Sequence, residues 1–202
     1  MIFVLVHGIN DTRVKFKAMQ AVLENQGHRC IVPSLTPKNG SSGLAYLARQ
    51  LNGIICAEID GSKAKICLVG FSMGGLVARY YLQELDGCKY VSQFFSIATP
   101  HHGSVLAYLS SNLGGKDMRP GSGFLRMLAQ SEMRLQGVDS YSYWTPFDLM
   151  ILPATSSIWA KAVNIKVNAL CHPLMVKNGR IIADMLAKVE IAESAGLGDN
   201  RL

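Results

Sequence analysis

The sequence has few charged residues and no recognisable cysteine motif. Of its 202 residues, 17% are charged and 49% are hydrophobic, whereas about 25% are charged in typical globular chains. This balance excludes an intrinsically disordered chain and favours one compact core. The five cysteines are an odd number without a C-x-x-C pair, so the pattern predicts neither a disulfide framework nor a zinc site.

Long apolar runs are also missing. The longest stretch without Asp, Glu, Lys or Arg covers residues 90–115, and Pro100 and several polar residues interrupt it. It is therefore not predicted to span a membrane. The apolar residues after Met1 have no basic residues before them and no cleavage site after them, so they do not form a signal peptide. We expect a soluble, cytoplasmic protein, although a removed export signal would leave no trace.

The positive charges form no block of the kind that binds nucleic acid. The net charge is +6, and the densest basic cluster is Arg13, Lys15 and Lys17, without interleaved aromatic residues. We interpret it as a solvated surface and expect no nucleic-acid partner. A mild, transient attraction to anionic lipid interfaces is the alternative.

The most informative motif is Gly70-Phe71-Ser72-Met73-Gly74, which follows the apolar run 66–69 and precedes a helical pattern. G-x-S-x-G between a strand and a helix is typical of a nucleophile elbow. The turn strains the backbone of the serine, and the flanking glycines leave room for it. We predict that Ser72 is a nucleophile. The alternative is an ordinary turn with an incidental serine.

Apolar runs of strand length alternate with helical patterns, which predicts an α/β fold whose mostly parallel sheet carries helices on both faces. The predicted strands are residues 2–6, 30–32, 66–69, 91–98, 140–144 and 163–167, and the last helix is predicted at about 176–189. No repeat or linker divides the chain, so residues 1–202 are predicted to form a single domain. Residues 192–202 are predicted to be a frayed, flexible tail.

Residues 103–136 form the one irregular segment. Gly114, Gly115, Gly121 and Gly123 flank its tip at residues 116–120. Two interpretations stay open. The glycines are hinges of a small lid, or the segment is an ordinary surface excursion between two strands.

A serine hydroxyl needs a base that removes its proton. His101 and His102 follow the fourth predicted strand, and His172 follows the sixth. The partner of the base is an acid, and Asp148 lies after the fifth strand among aromatic and aliphatic residues, where a lone carboxylate needs a buried partner. A helix N-cap is the alternative role for Asp148.

The other aspartates beyond Ser72 lie in less suitable places. Asp86 ends the elbow helix, Asp117 lies in the glycine-flanked segment, Asp139 precedes a strand and Asp184 lies within the last helix.

Two backbone amides are needed to hold the oxyanion of an acyl transfer. We predict the amide of Met73, directly after the nucleophile. The second is that of Ile9, in the His7-Gly8-Ile9 loop after the first strand.

These motifs, together with Thr99-Pro100-His101-His102-Gly103-Ser104 and Cys171-His172-Pro173-Leu174, resemble the bacterial lipase and esterase branch of the α/β-hydrolases. The nearest likeness is to its minimal lipases, which carry a small lid or none. In this fold the catalytic residues follow in the order Ser, Asp or Glu, His. The resemblance implies a Ser72–Asp148–His172 triad, hydrolysis through an acyl-enzyme, no metal and no cofactor.

The sequence thus predicts a carboxylic ester hydrolase, either an esterase or a small lipase, whose partner is a small-molecule or lipid ester. Leu106, Leu109, Met118 and Phe124 are predicted to line the acyl pocket. The same triad would serve a thioesterase, an amidase or an acyltransferase. From another class, a hydrolase-fold binding protein without activity is the alternative.

Overall fold

The computed structural model describes residues 1–59 and 65–198, and it confirms the predicted parallel sheet of six strands. The strands β1 to β6 are Ile2–Val6, Arg29–Ile31, Ile66–Phe71, Val91–Ile97, Asp139–Trp144 and Val163–Lys166. Every neighbouring pair is parallel, and the spatial order is β2-β1-β3-β4-β5-β6. The carboxyl ends of parallel strands meet at one edge, so the loops that follow them converge there.

Helices cover both faces of the sheet. They are α1 to α6, at Lys17–Asn25, Leu44–Glu58, Met73–Glu84, Leu113–Asp117, Gly123–Gln130 and Gly179–Gly198. Because side chains alternate along a strand, Val4 of β1 packs into the core under α2 and α3, whereas Phe3 and Leu5 pack into the core under α1 and α6. The sheet therefore lies between two apolar cores.

The last helix differs from its prediction. A short 3-10 helix at His172–Lys177 comes first, and α6 then continues to Gly198. The helix thus continues nine residues beyond its predicted end at Val189. The predicted flexible tail at 192–202 stays a prediction, and residues 199–202 lie outside the described residues. Alanine and glutamate favour helix without packing, and both residue types follow Val189.

The irregular segment 103–136 contains α4, α5 and two short 3-10 helices, Val105–Leu109 and Glu132–Leu135. Its tip is bonded to the rest of the chain. The Gly114 amide donates to the Gly40 carbonyl at 2.9 Å, and the Leu44 amide donates to the Asp117 carboxylate at 2.8 Å. A Cβ on Gly114 would lie 2.6 Å from that Gly40 oxygen, so this glycine permits close approach. These contacts hold the segment against Gly40 and the start of α2.

No helix within residues 1–59 and 65–198 is long and apolar enough to cross a membrane. Among the same residues, no three His, Cys, Asp or Glu side chains are grouped so that they could hold a metal ion. All five cysteines are free thiols, and burial raises the pKa of Cys67 to about 12.

Candidate active site

Ser72 lies at the sharp turn between β3 and α3, at the carboxyl edge of the sheet. Its backbone has φ 54° and ψ −124°, a region that residues other than glycine rarely adopt. The Ser72 amide donates to the Ile97 carbonyl at 2.9 Å, which holds the strained turn against β4. The side chain is thereby fixed at the N-terminus of α3, as the G-x-S-x-G motif predicts.

The flanking glycines are required because backbone segments cross there. A Cβ on Gly70 would lie 2.7 Å from the Gly75 nitrogen, and one on Gly74 would lie 2.5 Å from the His7 carbonyl oxygen. Both distances are shorter than real Cβ contacts, so any side chain would push the turn away from β1 or α3. Gly8 is close as well, with its Cβ position 3.1 Å from Ser72 Cβ.

His172 and Asp148 form a buried pair beside this turn. The Nδ1–H of His172 donates to Asp148 Oδ2 at 2.7 Å, and the two residues are 7% and 3% exposed. Because the proton is on Nδ1, the Nε2 of the neutral ring can accept one. His172 also packs on the ring of Phe71, the residue before Ser72, with centroids 4.8 Å apart.

The loop after β5 orients Asp148. Its second carboxylate oxygen, Oδ1, accepts the amides of Met150 and Ile151, each at 2.9 Å. No helix begins there, so Asp148 is not a helix N-cap. The hydroxyl of Ser104 braces the same loop by donating to the Met150 carbonyl at 3.1 Å and accepting from the Leu152 amide at 3.0 Å. Sequence analysis did not find this role for Ser104.

The amides of Ile9 and Met73 have no hydrogen-bond partner among residues 1–59 and 65–198. Their neighbours do: the Asn10 amide donates to the Lys38 carbonyl at 2.8 Å, and the Ser72 amide is bound to β4. His7 orients the Ile9 loop, since its Nδ1–H donates to the Gly8 carbonyl at 2.8 Å and its Nε2 accepts the Leu35 amide at 3.0 Å. Two free amides thus flank the site.

A cavity of about 390 Å³ opens over Ser72 and His172. Of the four predicted pocket residues, Leu106 and Met118 line it. Leu109 and Phe124 do not, which corrects the prediction: Leu109 is 86% exposed, and Phe124 stacks on Tyr80 of α3 instead. Several other lining residues were not predicted to border the pocket, namely Lys15, Ala107, Ser110, Met150 and Ile151.

The second histidine candidate, His101, faces away from this cavity. Its Nε2–H donates to Ser96 Oγ at 2.9 Å, and its Nδ1 accepts from the Arg79 guanidinium at 3.4 Å. Its ring stacks on Trp159 with centroids 4.7 Å apart. Burial, and then the charge of Arg79, hold the pKa of His101 well below 6.5. His102 is exposed and bonds to the Ile158 carbonyl at 3.1 Å.

Arg79 is almost fully buried, and burial lowers its pKa to about 10. Its guanidinium donates to Glu132 at 2.9 Å and lies 4.4 Å over the Trp159 ring. The indole of Trp159 donates to the same Glu132 carboxylate at 2.6 Å. This polar cluster ties the elbow helix α3 to the end of the segment 103–136.

Several solved structures share this architecture. The mature form of Bacillus licheniformis lipase BlEst2 superposes with a TM-score of 0.72 at 18% identity, over 93% of this chain and 90% of that one. Aspergillus fumigatus lipase B gives a TM-score of 0.78 at 16% identity, over 90% of this chain and 50% of that one. Polyneuridine aldehyde esterase gives 0.64 at 17% identity, over 94% and 98%.

No curated protein matches the sequence. A family model does: the palmitoyl protein thioesterase model matches residues 2–133, which include the Ile9 loop, the Ser72 elbow and most of the segment 103–136. The matched region covers more than half of the chain. The chain therefore belongs to the palmitoyl protein thioesterase family, and it is a carboxylic ester hydrolase with the α/β-hydrolase fold.

Proposed function

We propose that this enzyme hydrolyses esters of apolar acyl groups through an acyl-enzyme on Ser72, with His172 as base and Asp148 as its orienting acid. The observation that carries the proposal is the buried 2.7 Å bond between His172 and Asp148 beside the strained Ser72 turn. It supports the triad because it leaves His172 Nε2 free to accept the Ser72 proton.

In the first half-reaction, Ser72 Oγ attacks the carbonyl carbon and its proton passes to His172 Nε2. The carbonyl electron pair moves to the oxygen, and the free amides of Ile9 and Met73 stabilise this oxyanion. When the intermediate collapses, the bond to the leaving group breaks and the leaving group takes the proton from His172. Water then attacks the acyl-serine and gives a proton to His172, and the tetrahedral intermediate collapses as Ser72 Oγ leaves with that proton and the acid is released.

The acyl group belongs in the apolar part of the cavity. Its walls are Leu106, Ala107, Met118, Met150 and Ile151, and apolar surface favours a hydrocarbon chain by about 25 cal/mol per Å² buried. Two strongly exposed apolar residues are close in sequence to the proposed acid and base: Leu149 follows Asp148, and Leu170 precedes His172 by two residues, at 75% and 82% exposed. Exposed apolar side chains of this kind favour a lipid ester presented at an interface.

A thioester is the second candidate substrate, because the family model that matches this chain is named for thioester cleavage. The test uses p-nitrophenyl esters and N-acetylcysteamine thioesters with the same acyl chains, from two to sixteen carbons, together with Ser72→Ala. We expect Ser72-dependent release of the acid, fastest for the longer chains. Turnover that survives in Ser72→Ala would contradict the proposal.

A further inference from the structure

The catalytic cavity has one charged wall. Asn10, Asp11 and Lys15, which lie between β1 and α1, line it together with the apolar residues that suit an acyl chain. Lys15 Nζ lies 5.2 Å from the centroid of the Phe71 ring, and Phe71 directly precedes Ser72. A cation therefore lies near the reaction centre, and it suits a polar leaving group better than an acyl chain.

The Lys15 ammonium has hydrogen-bond donors that no protein group uses among the described residues. The Lys15 side chain is only 18% exposed, and its ionic partner Asp11 is 3.5 Å away, longer than the 2.7–2.9 Å typical of a charged hydrogen bond. Neither the ammonium nor the Asp11 carboxylate is hydrogen-bonded within the described parts of the chain, 1–59 and 65–198. A half-buried ammonium with unused donors can accept an anionic ligand.

The charged wall continues into an adjoining groove of about 360 Å³. Four residues border both the cavity and the groove, namely Asn10, Asp11, Lys15 and Pro173. Lys177 borders the groove but not the cavity. Two lysines and one aspartate leave this surface with a net positive charge. The groove thus offers an anion a path from the reaction centre to the surface.

We propose that the leaving group of the substrate carries a phosphate, and that Lys15 binds it, with Lys177 supporting the charge further out. This inference rests on the proposed hydrolysis at Ser72. A phosphate monoester carries about −1.5 to −2 charges at pH 7, so it outcompetes the single charge of Asp11 for Lys15. An ammonium is a compact charge of the kind that binds phosphate. Glycerol phosphates and phosphopantetheine share this chemistry.

Binding is measured on Ser72→Ala, which keeps the ester intact, so that failure of turnover and failure of this inference are separate results. Isothermal calorimetry compares 1-octanoylglycerol 3-phosphate with 1-octanoylglycerol, and S-octanoyl-4'-phosphopantetheine with S-octanoylpantetheine. In each pair the acyl group is the same and the phosphate differs. We expect the phosphate to tighten binding about tenfold in at least one pair. The pair that shows this effect identifies the leaving group as a glycerol phosphate or as phosphopantetheine.

Variants in the Ser72→Ala background assign the effect to residues. Lys15→Met should remove most of the preference for phosphate, and Lys15→Arg should restore part of it. Asp11→Asn should increase the preference about threefold, because the competing carboxylate is lost. Lys17→Met is the matched control: Lys17 lies two residues further on, borders neither space, and should leave the preference unchanged.

Two results would overturn the inference. One is equal affinity for the phosphorylated and neutral members of both pairs. The other is a phosphate preference that Lys15→Met and Lys17→Met reduce equally, since that would reflect the overall charge of the protein. Turnover of the same four compounds by the unmodified enzyme reports separately on the proposed hydrolysis.

Discussion

Two buried histidines at the same edge of the sheet have opposite surroundings. His172 faces a carboxylate at 2.7 Å and borders the cavity, whereas His101 faces a guanidinium at 3.4 Å and borders only protein. A carboxylate stabilises an imidazolium and a guanidinium opposes it. The two residues are similarly buried, at 7% and 3% exposed. They differ in the sign of the neighbouring charge.

The comparison explains why we propose His172, and not His101, as the base. His172 has a proton on Nδ1 fixed by an acid and a free Nε2 that faces a space for substrate. His101 has Nε2–H donated to Ser96 and Nδ1 occupied by Arg79, so both nitrogens are used. We infer that the surroundings of His172 suit proton transfer, whereas His101 holds α3 and Trp159 in place.

The largest predicted effect separates the two histidines by activity. His172→Ala should lower kcat by about 10⁶-fold, as loss of the base does in triads that act as a unit. His101→Gln should keep kcat within about tenfold, because His101 lies outside the cavity. Steady-state hydrolysis of the best p-nitrophenyl ester measures both, and similar losses in the two variants would break the distinction.

Asp148→Asn tests the carboxylate alone. The amide cannot accept the Nδ1–H and stabilise the imidazolium as the carboxylate does, so kcat should fall by about 10⁴-fold while the fold is retained. Circular dichroism checks the fold and ester hydrolysis checks kcat. Asp184→Asn is the matched control, since that carboxylate bonds Tyr143 and Lys188 and does not line the cavity.

Arg79→Met should act on stability instead of chemistry. It leaves the Glu132 carboxylate without its buried cation, which costs about 3 kcal/mol of unfolding free energy. Arg134→Met is the control, because Arg134 is 62% exposed where Arg79 is 2% exposed, so its ion pair with Glu84 contributes at most about 1 kcal/mol. Urea unfolding measures both, and equal losses would contradict a structural role for the Arg79 cluster.

The pH dependence of stability gives the smallest effect. The pKa of His101 is lowered on folding, so the unfolded chain binds the proton more readily and stability falls as pH drops below 6.5. The slope contributed by His101 is about 1.4 kcal/mol per pH unit. His28, whose pKa burial also lowers, contributes in the same direction. We expect His101→Gln to flatten the slope between pH 6.5 and 5, and an unchanged slope would contradict the assigned environment.

Much of the sheet and the centre of the site could be predicted from local sequence. The first strand lies at the predicted residues, 2–6. Ser72 lies at the turn that its five-residue motif predicts, and the two glycines of that motif leave room for the turn. Asp148 was predicted because it follows a strand among apolar residues, and His172 because it follows the last strand and fits the Ser, acid, His order of the α/β-hydrolases. Strand order brings such residues to one edge.

What could not be predicted depends on contacts between distant residues. Gly114 suggested a hinge, but its role is close approach to Gly40, 74 residues away along the chain. Leu109 and Phe124 are apolar, as pocket residues often are, but in the folded chain Leu109 is exposed to solvent and Phe124 stacks on Tyr80. Lys15 looked like ordinary surface charge, and only the folded loop places it on the cavity wall.

The most direct test of the Ser72–His172–Asp148 proposal is labelling with a fluorophosphonate, which phosphonylates an activated serine and releases fluoride. Peptide mass spectrometry locates the adduct. We expect one adduct, on Ser72, formed rapidly in the unmodified protein and in His101→Gln, and far more slowly in His172→Ala. An adduct on another serine, or equal labelling with and without His172, would contradict it.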